Sequence, residues 1–202
     1  MEHAKNHPQR LPYVDPVFIT DPAMMAEFQR AAREGAPRPE SHAIRAHVPD
    51  VFWAFTNAWN ATFVNGVCDH AIKELCRLYV SQAVNCNYCG NQRSAKAQAQ
   101  GLLEDDVKDL LDFDKSARFT PRQKAALRLA EAITWGLEST DALWDGLYEN
   151  FETASIVELG FFIGLTMGQQ RWNRLIGMQH SQFMAGASGG LAPIAATRKA
   201  MP

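Results

Sequence analysis

An all-α fold is predicted for this chain, a compact bundle of many helices, on three observations. Asp-Pro and Thr-Pro openings precede apolar residues at three- and four-residue steps. Glycines stand just past the ends of those runs, and no stretch alternates convincingly as a strand. The first element opens at Asp21-Pro22 and runs through AMMAEFQRAAREG, with Gly35 as its stop. After a proline-rich joint at Pro37 and Pro39, Pro49 opens a helix whose Phe52, Phe55, Trp59 and Phe63 share a face and which Gly66 closes. Asp69 caps a third helix, HAIKELCRLYVSQAV. Asn85 is placed to cap a fourth, CNYCGNQRSAKAQAQ, ended by Gly101. A short helix is expected over 104–113, a strong one from Thr120-Pro121 to Trp135-Gly136, and another short one over 141–151. The last helix is long, from about Thr153 to Gln179, with Gly160, Gly164 and Gly168 on one face. In a water-soluble protein that spacing lets another backbone come close.

Length and composition fit one domain. The chain has 202 residues, 47% of them apolar, enough to bury a full core. Residues 1–183 are taken as a single domain with a helical extension at 1–48, and 184–202, rich in Gly and Ala, as a flexible tail. A net charge of −2 without a Lys/Arg cluster argues against nucleic acid or an anionic membrane as partner, since both need a concentrated basic surface. Met1 to Pro16 lacks the apolar segment of an export signal, so a cytoplasmic location is expected, where cysteines stay reduced.

Cys86-Asn87-Tyr88-Cys89 is the feature with chemistry in it. At a helix start, residues three apart face one side, and the first-turn N–H groups favour a thiolate. Arg93, one turn beyond Cys89 on the same face, adds a positive charge, and the pair is suited to cycling between dithiol and disulfide. Two other readings stand beside this one. C-x-x-C is also half of a zinc site, although Cys68 and Cys76, eight apart, have no recognised ligand spacing. All four cysteines are alternatively small buried residues, the favoured reading for Cys68 and Cys76. No metal or cofactor is expected.

In order and spacing these residues resemble the alkylhydroperoxidase D-like branch of the carboxymuconolactone decarboxylase superfamily. Its members carry a glutamate, eleven residues, and then C-x-[YH]-C-x-x-x-H, matched here by Glu74, Cys86, Tyr88 and Cys89, with Ala97 and Gly101-Leu102 following. FTPRQKAALRLAEAIT (119–134), IVELGFFIG (156–164), Asn173-Arg174 and LPYVDP (11–16) resemble further family segments, so the likeness spans roughly residues 11–180. The resemblance implies a helical bundle that assembles into dimers, trimers or hexamers. It also implies a peroxidatic Cys89, a resolving Cys86, and Glu74 in a proton relay. The family's relay histidine is replaced by Arg93, which can stabilise a thiolate but cannot exchange a proton. Either Glu74, Tyr88 or water then moves the proton, or the site has left peroxidase chemistry. On the helix wheel, the stripe of Ile72, Leu75, Cys76, Tyr79 and Ala83 puts Glu74 on nearly the opposite side, where a carboxylate is ordinarily solvated unless an oligomer covers it. His70 shares that face as a simple surface partner, and His180 suits the end of the last helix.

Three functions follow. One is a thiol oxidoreductase of the peroxiredoxin type that reduces hydroperoxides or another small electrophile, recharged by a dithiol protein or small thiol. The second is a lyase or hydrolase acting on an acid from aromatic breakdown, with Arg93 holding the carboxylate and Phe52, Trp53, Phe55 and Trp59 available to line an apolar pocket. The third is a non-catalytic redox sensor.

Overall fold

The computed structural model describes residues 8–180 and Leu191, and among these every regular element is a helix. The expected tail lies outside the described residues apart from Leu191, which makes an isolated antiparallel bridge with Gln92. Ten α-helices follow one another: α1 (Pro22–Glu34), α2 (Pro39–Arg45), α3 (Pro49–Trp59), α4 (His70–Ala83), α5 (Asn87–Gly90), α6 (Ala95–Ala99), α7 (Glu104–Lys108), α8 (Pro121–Trp135), α9 (Asp141–Asn150) and α10 (Thr153–Leu175). Among the described residues no single helix is long and apolar enough to cross a membrane.

The punctuation acts as expected at most ends. Asp21 Oδ1 accepts from Ala23 N at 2.9 Å to start α1, and Gly35 stops it at φ 79°. Thr120 and Gln123 exchange hydrogen bonds as a capping box at the start of α8, and Gly136 closes that helix at φ 63°. Two ends differ. The expected fourth helix is broken in two. Asn85 takes a left-handed conformation, Cys86 becomes the N-cap, α5 ends at Gly90, and Ser94 caps a separate α6 by accepting from Ala97 N. The last helix stops at Leu175, four residues before Gln179. Gly177, at φ 65°, turns the chain while Met178 N donates back to Asn173 O, a Schellman closure.

The centre is α4, which packs against both α8 and α10. Leu75, Cys76, Leu78 and Tyr79 meet Ala126, Leu127, Leu159 and Ile163 in one apolar cluster. Each buried Leu or Phe contributes about 1.5–3 kcal/mol, against at most about 0.7 kcal/mol for an ordinary residue's helix propensity, so this layer holds the fold. A second, aromatic cluster (Phe55, Trp59, Phe63, Phe162) joins α3 to α10, and a third (Met24, Phe28, Ala43, Phe52) seats the N-terminal helices. All seven residues of α2 are buried. The proline-rich joint of the sequence thus contains an enclosed helix that carries Ser41, His42 and Arg45 inward. The three glycines of α10 behave differently from expectation: open space lies where a Cβ would stand at Gly160, Gly164 and Gly168, with nothing from the other described residues within 4 Å.

Candidate functional site

Helix α4 is surrounded on all sides, so Glu74 has no solvent face: its side chain is fully buried. It forms a two-pronged ion pair with Arg77, one turn on, at 2.6 and 2.8 Å. Its Oε1 also accepts from Ser94 N at 2.9 Å. The remaining Arg77 N–H groups donate to Cys89 O and Gln92 O, each at 2.9 Å. Glu74 therefore fixes the arginine that pins the cysteine turn, and the solvated reading of this residue is corrected. His70 is buried as well and forms no surface pair with Glu74. Its Nδ1–H donates to Phe63 O, which leaves Nε2 to accept from Ser94 Oγ, both at 2.8 Å.

Both cysteines of the pair are buried free thiols, and Cys89 lies on the wall of a cavity. Burial pushes the Cys89 thiol up. The hydrogen bonds from Cys86 and from Asn173 Nδ2 (3.4 Å) and the charges of Arg77 and Arg45 outweigh that, holding it below the ordinary thiol value. Cys86 moves the opposite way, raised because it keeps its proton to donate to Cys89 and because it is desolvated. The helix that carries the pair, α5, is a single turn, so these neighbours replace the long helix dipole that the sequence led us to expect. Cys76 and Cys68 are buried core thiols. Desolvation raises Cys76 and brings Cys68 to about 11, as suits inert residues.

Arg93 is the main correction. Because α5 ends at Gly90, its guanidinium turns away from the sulfur and pairs with Glu104 at 2.7 and 2.9 Å, also donating to Gly90 O and Gln92 O. The cations at the cavity are Arg77 of α4 and Arg45 of α2, the second of which the sequence did not point to. Arg45 donates to Ser41 O and Oγ at 2.6 Å and to Gln169 Oε1 at 2.7 Å, and lies 3.6 Å over the Phe55 ring. No carboxylate pairs with it among the described residues. Burial lowers its pKa to about 10, which leaves it charged at neutral pH. Arg77 had a legible signal, the three-residue spacing from Glu74. Arg45 had none, because its place depends on how α2 docks.

Arg45, Phe55, Trp59, Cys89, Gln170 and Asn173 are among the residues lining a partly open cavity of about 30 Å³, room for about two waters. Phe55 and Trp59 thus line it, whereas Phe52 belongs to the third core cluster. Tyr88, on the same wall, is 4% exposed, stacks its ring 4.5 Å from that of His180, and has no hydrogen-bond partner for its hydroxyl among the described residues. Desolvation raises that hydroxyl well above its ordinary value. Burial lowers the pKa of His180, past the end of α10, which disfavours the helix-end cation expected there.

Residues 49–132 match the model of the carboxymuconolactone decarboxylase family. The uncharacterized protein YdfG of Bacillus subtilis is 28% identical over 105 residues, 51% of this chain and 69% of its own. An uncharacterized peroxidase-related protein from Ralstonia eutropha with an alkylhydroperoxidase AhpD core superposes with a TM-score of 0.70 at 22% identity, covering 90% of this chain and 98% of that one. A cysteine-to-alanine variant of the debrominase Bmp8, solved with 2,3,4-tribromopyrrole, gives 0.70 at 19% identity over 89% of this chain and 96% of its own. An Agrobacterium tumefaciens protein of unknown function, proposed to be the antioxidant defence protein AhpD, gives 0.60 at 22% over 68% and 94%. The region that holds the cysteine pair, residues 49–132, thus matches the carboxymuconolactone decarboxylase family, and the chain has the alkylhydroperoxidase D-like helical fold.

Proposed function

We propose that this protein is a thiol-dependent oxidoreductase that reduces small hydroperoxides, with Cys89 as the attacking thiolate and Cys86 as the resolving thiol. The observation that carries the reading is the asymmetry of the pair. Cys89 faces the cavity, accepts hydrogen bonds from Cys86 and Asn173, and lies near two arginines, while Cys86 keeps its proton. The Cys89 thiolate attacks the outer peroxide oxygen, forming an S–O bond as O–O breaks. The departing alkoxide takes the Cys86 proton. The Cys86 thiolate then displaces hydroxide, which takes a proton from solvent, and an S–S bond forms. A dithiol protein or small thiol returns the disulfide to two thiols. In this scheme Glu74 acts by holding Arg77, and Tyr88 forms part of the cavity wall.

A stoichiometric peroxide pulse should consume two thiols in the native protein. Cys86→Ser should stop at a sulfenic acid on Cys89, and Cys89→Ser should not react. Loss of thiols from Cys68 or Cys76 first, or no loss at all, refutes the reading. Thiol loss without turnover in the presence of a dithiol would instead identify a sensor.

Reductive dehalogenation is a second reading, favoured by the likeness to Bmp8 and by Phe55 and Trp59 in the cavity wall. It ranks lower because about 30 Å³ does not admit a brominated ring unless the wall moves. The lyase or hydrolase alternative would now place Arg45, in place of Arg93, opposite a substrate carboxylate, and meets the same limit of size.

A further inference from the structure

No aspartate or glutamate is among the described residues that line the cavity at Cys89, yet two arginines are. Glu74 neutralises Arg77 from behind the wall. Arg45 has no such partner. Its guanidinium lies at the wall itself, because the groups it touches, Ser41, Gln169 and the Phe55 ring, all line the same cavity. Ser41 and Gln169 accept three hydrogen bonds from it, and its remaining N–H groups have no acceptor among the described residues. In the reduced protein the counter-charge is the Cys89 thiolate, which Arg45 helps to keep ionised. Oxidation removes it: the Cys89 thiolate and the Cys86 thiol together give up two electrons and one proton as the S–S bond forms. Tyr88, on the same wall, does not replace that negative charge, since desolvation holds its proton on. The oxidised cavity therefore keeps one guanidinium without a counter-ion, and a buried charge left so is costly. About 30 Å³ has room for one monatomic ion and not for an organic carboxylate.

We propose that this cavity is a redox-linked halide site: once the Cys86–Cys89 disulfide has formed, a chloride or bromide ion occupies it against the Arg45 guanidinium, and in the reduced protein the Cys89 thiolate excludes the same ion. The proposal rests on the reading of the pair as a dithiol that becomes a disulfide, and adds a ligand that is neither substrate nor reductant. An ion that binds one redox state favours that state by mass action. Halide thus draws the pair toward disulfide and opposes its reduction by thiols.

The test measures broadening of the chlorine NMR line of chloride by the full chain, and the thiol–disulfide equilibrium of the pair in a dithiothreitol buffer. The oxidised protein should broaden the line, bromide should reverse the broadening, and gluconate at matched ionic strength should not. The reduced protein at neutral pH should broaden it much less. For a dissociation constant of about 50 mM, raising bromide to about 200 mM should move the equilibrium toward disulfide by about fivefold relative to gluconate. Arg45→Gln should abolish both effects. Arg93→Gln should keep them, because that guanidinium is held by Glu104. Cys89→Ser removes the thiolate without oxidation and should bind chloride with no disulfide present, which tests the site apart from the redox reading. Equal broadening by the oxidised and reduced proteins, an equal shift with gluconate, broadening that survives in a folded Arg45→Gln, or none in Cys89→Ser would overturn the site and leave the disulfide reading standing. Failure of the pair to form a disulfide would overturn that reading, and Cys89→Ser against the reduced protein then decides the site alone.

Discussion

Arg93 stands four residues after Cys89, and a continuous helix would have carried its guanidinium to the sulfur. Since α5 stops at Gly90, Glu104 receives it, and the charge near Cys89 comes from Arg45 and Arg77. The two sites of positive charge predict opposite outcomes. Arg93→Ala should leave the pH midpoint of Cys89 alkylation where it is. Arg45→Gln removes a cation that favours the thiolate, so the midpoint should rise by about a unit and alkylation at neutral pH should slow accordingly. An upward shift in Arg93→Ala alone would restore the role the sequence assigned to it. Glu74 makes a second prediction at this scale. Glu74→Gln would strand the Arg77 charge in the interior, so denaturant unfolding should show a loss of about 3–5 kcal/mol. A loss below about 1 kcal/mol would mean that water reaches this pair.

Among the helices, α2 departs furthest from a surface element, with charged and polar side chains inside and no solvent face. His42 is its clearest case. It sits among Phe28, Phe52 and Phe55, and neither ring nitrogen has a hydrogen-bond partner among the described residues. Burial first, then the charges of Arg45 and Arg30, holds its pKa well below 6.5. The direction of the pH effect follows from this. Above pH 6.5 His42 is neutral in both states and its contribution to stability is intact; as pH falls, the unfolded chain takes the proton first. Stability should therefore drop below pH 6.5 by up to about 1.4 kcal/mol per pH unit for this group. His42→Leu should flatten that slope between pH 6.5 and about 5, as followed by the unfolding midpoint in urea at each pH. An unchanged slope would show that other groups set the acid limit.

At the scale of the whole molecule, α10 is two-faced. One side builds the core and supplies Gln170 and Asn173 to the cavity, while the other exposes Val157, Phe161, Trp172 and Leu175 beside the open glycines. Such a face costs free energy in water unless a partner covers it. We expect a second copy of the chain to do so, which light scattering at micromolar concentration would register as a mass above the 22.5 kDa monomer. A monomeric mass, or Phe161→Ser leaving an oligomer intact, would rule out this face as the contact.

Helix starts and stops depend on residues a few positions apart, which is why Asp21-Pro22, Gly35, the Thr120–Gln123 box and the Cys86–Cys89 pair were legible from the order of residues. The break after Gly90 and the stop at Gly177 also had local marks, Ser94 and the glycine itself, but helical periodicity on either side outweighed them. Burial of Glu74 was beyond any helix wheel. A wheel assumes one apolar face, and α4 at the centre of the bundle has neighbours all round. The surroundings of Cys89 were less legible still. Arg45, Trp59, Gln170 and Asn173 come from α2, α3 and α10, as much as 128 residues apart (45 to 173), and share one cavity only because those helices dock together. The sequence by itself determined the helices and the Cys86–Cys89 pair, since both are set by short-range geometry. Tertiary packing decided which charges reach the sulfur and how much space lies in front of it, because both depend on side chains brought together from distant parts of the chain.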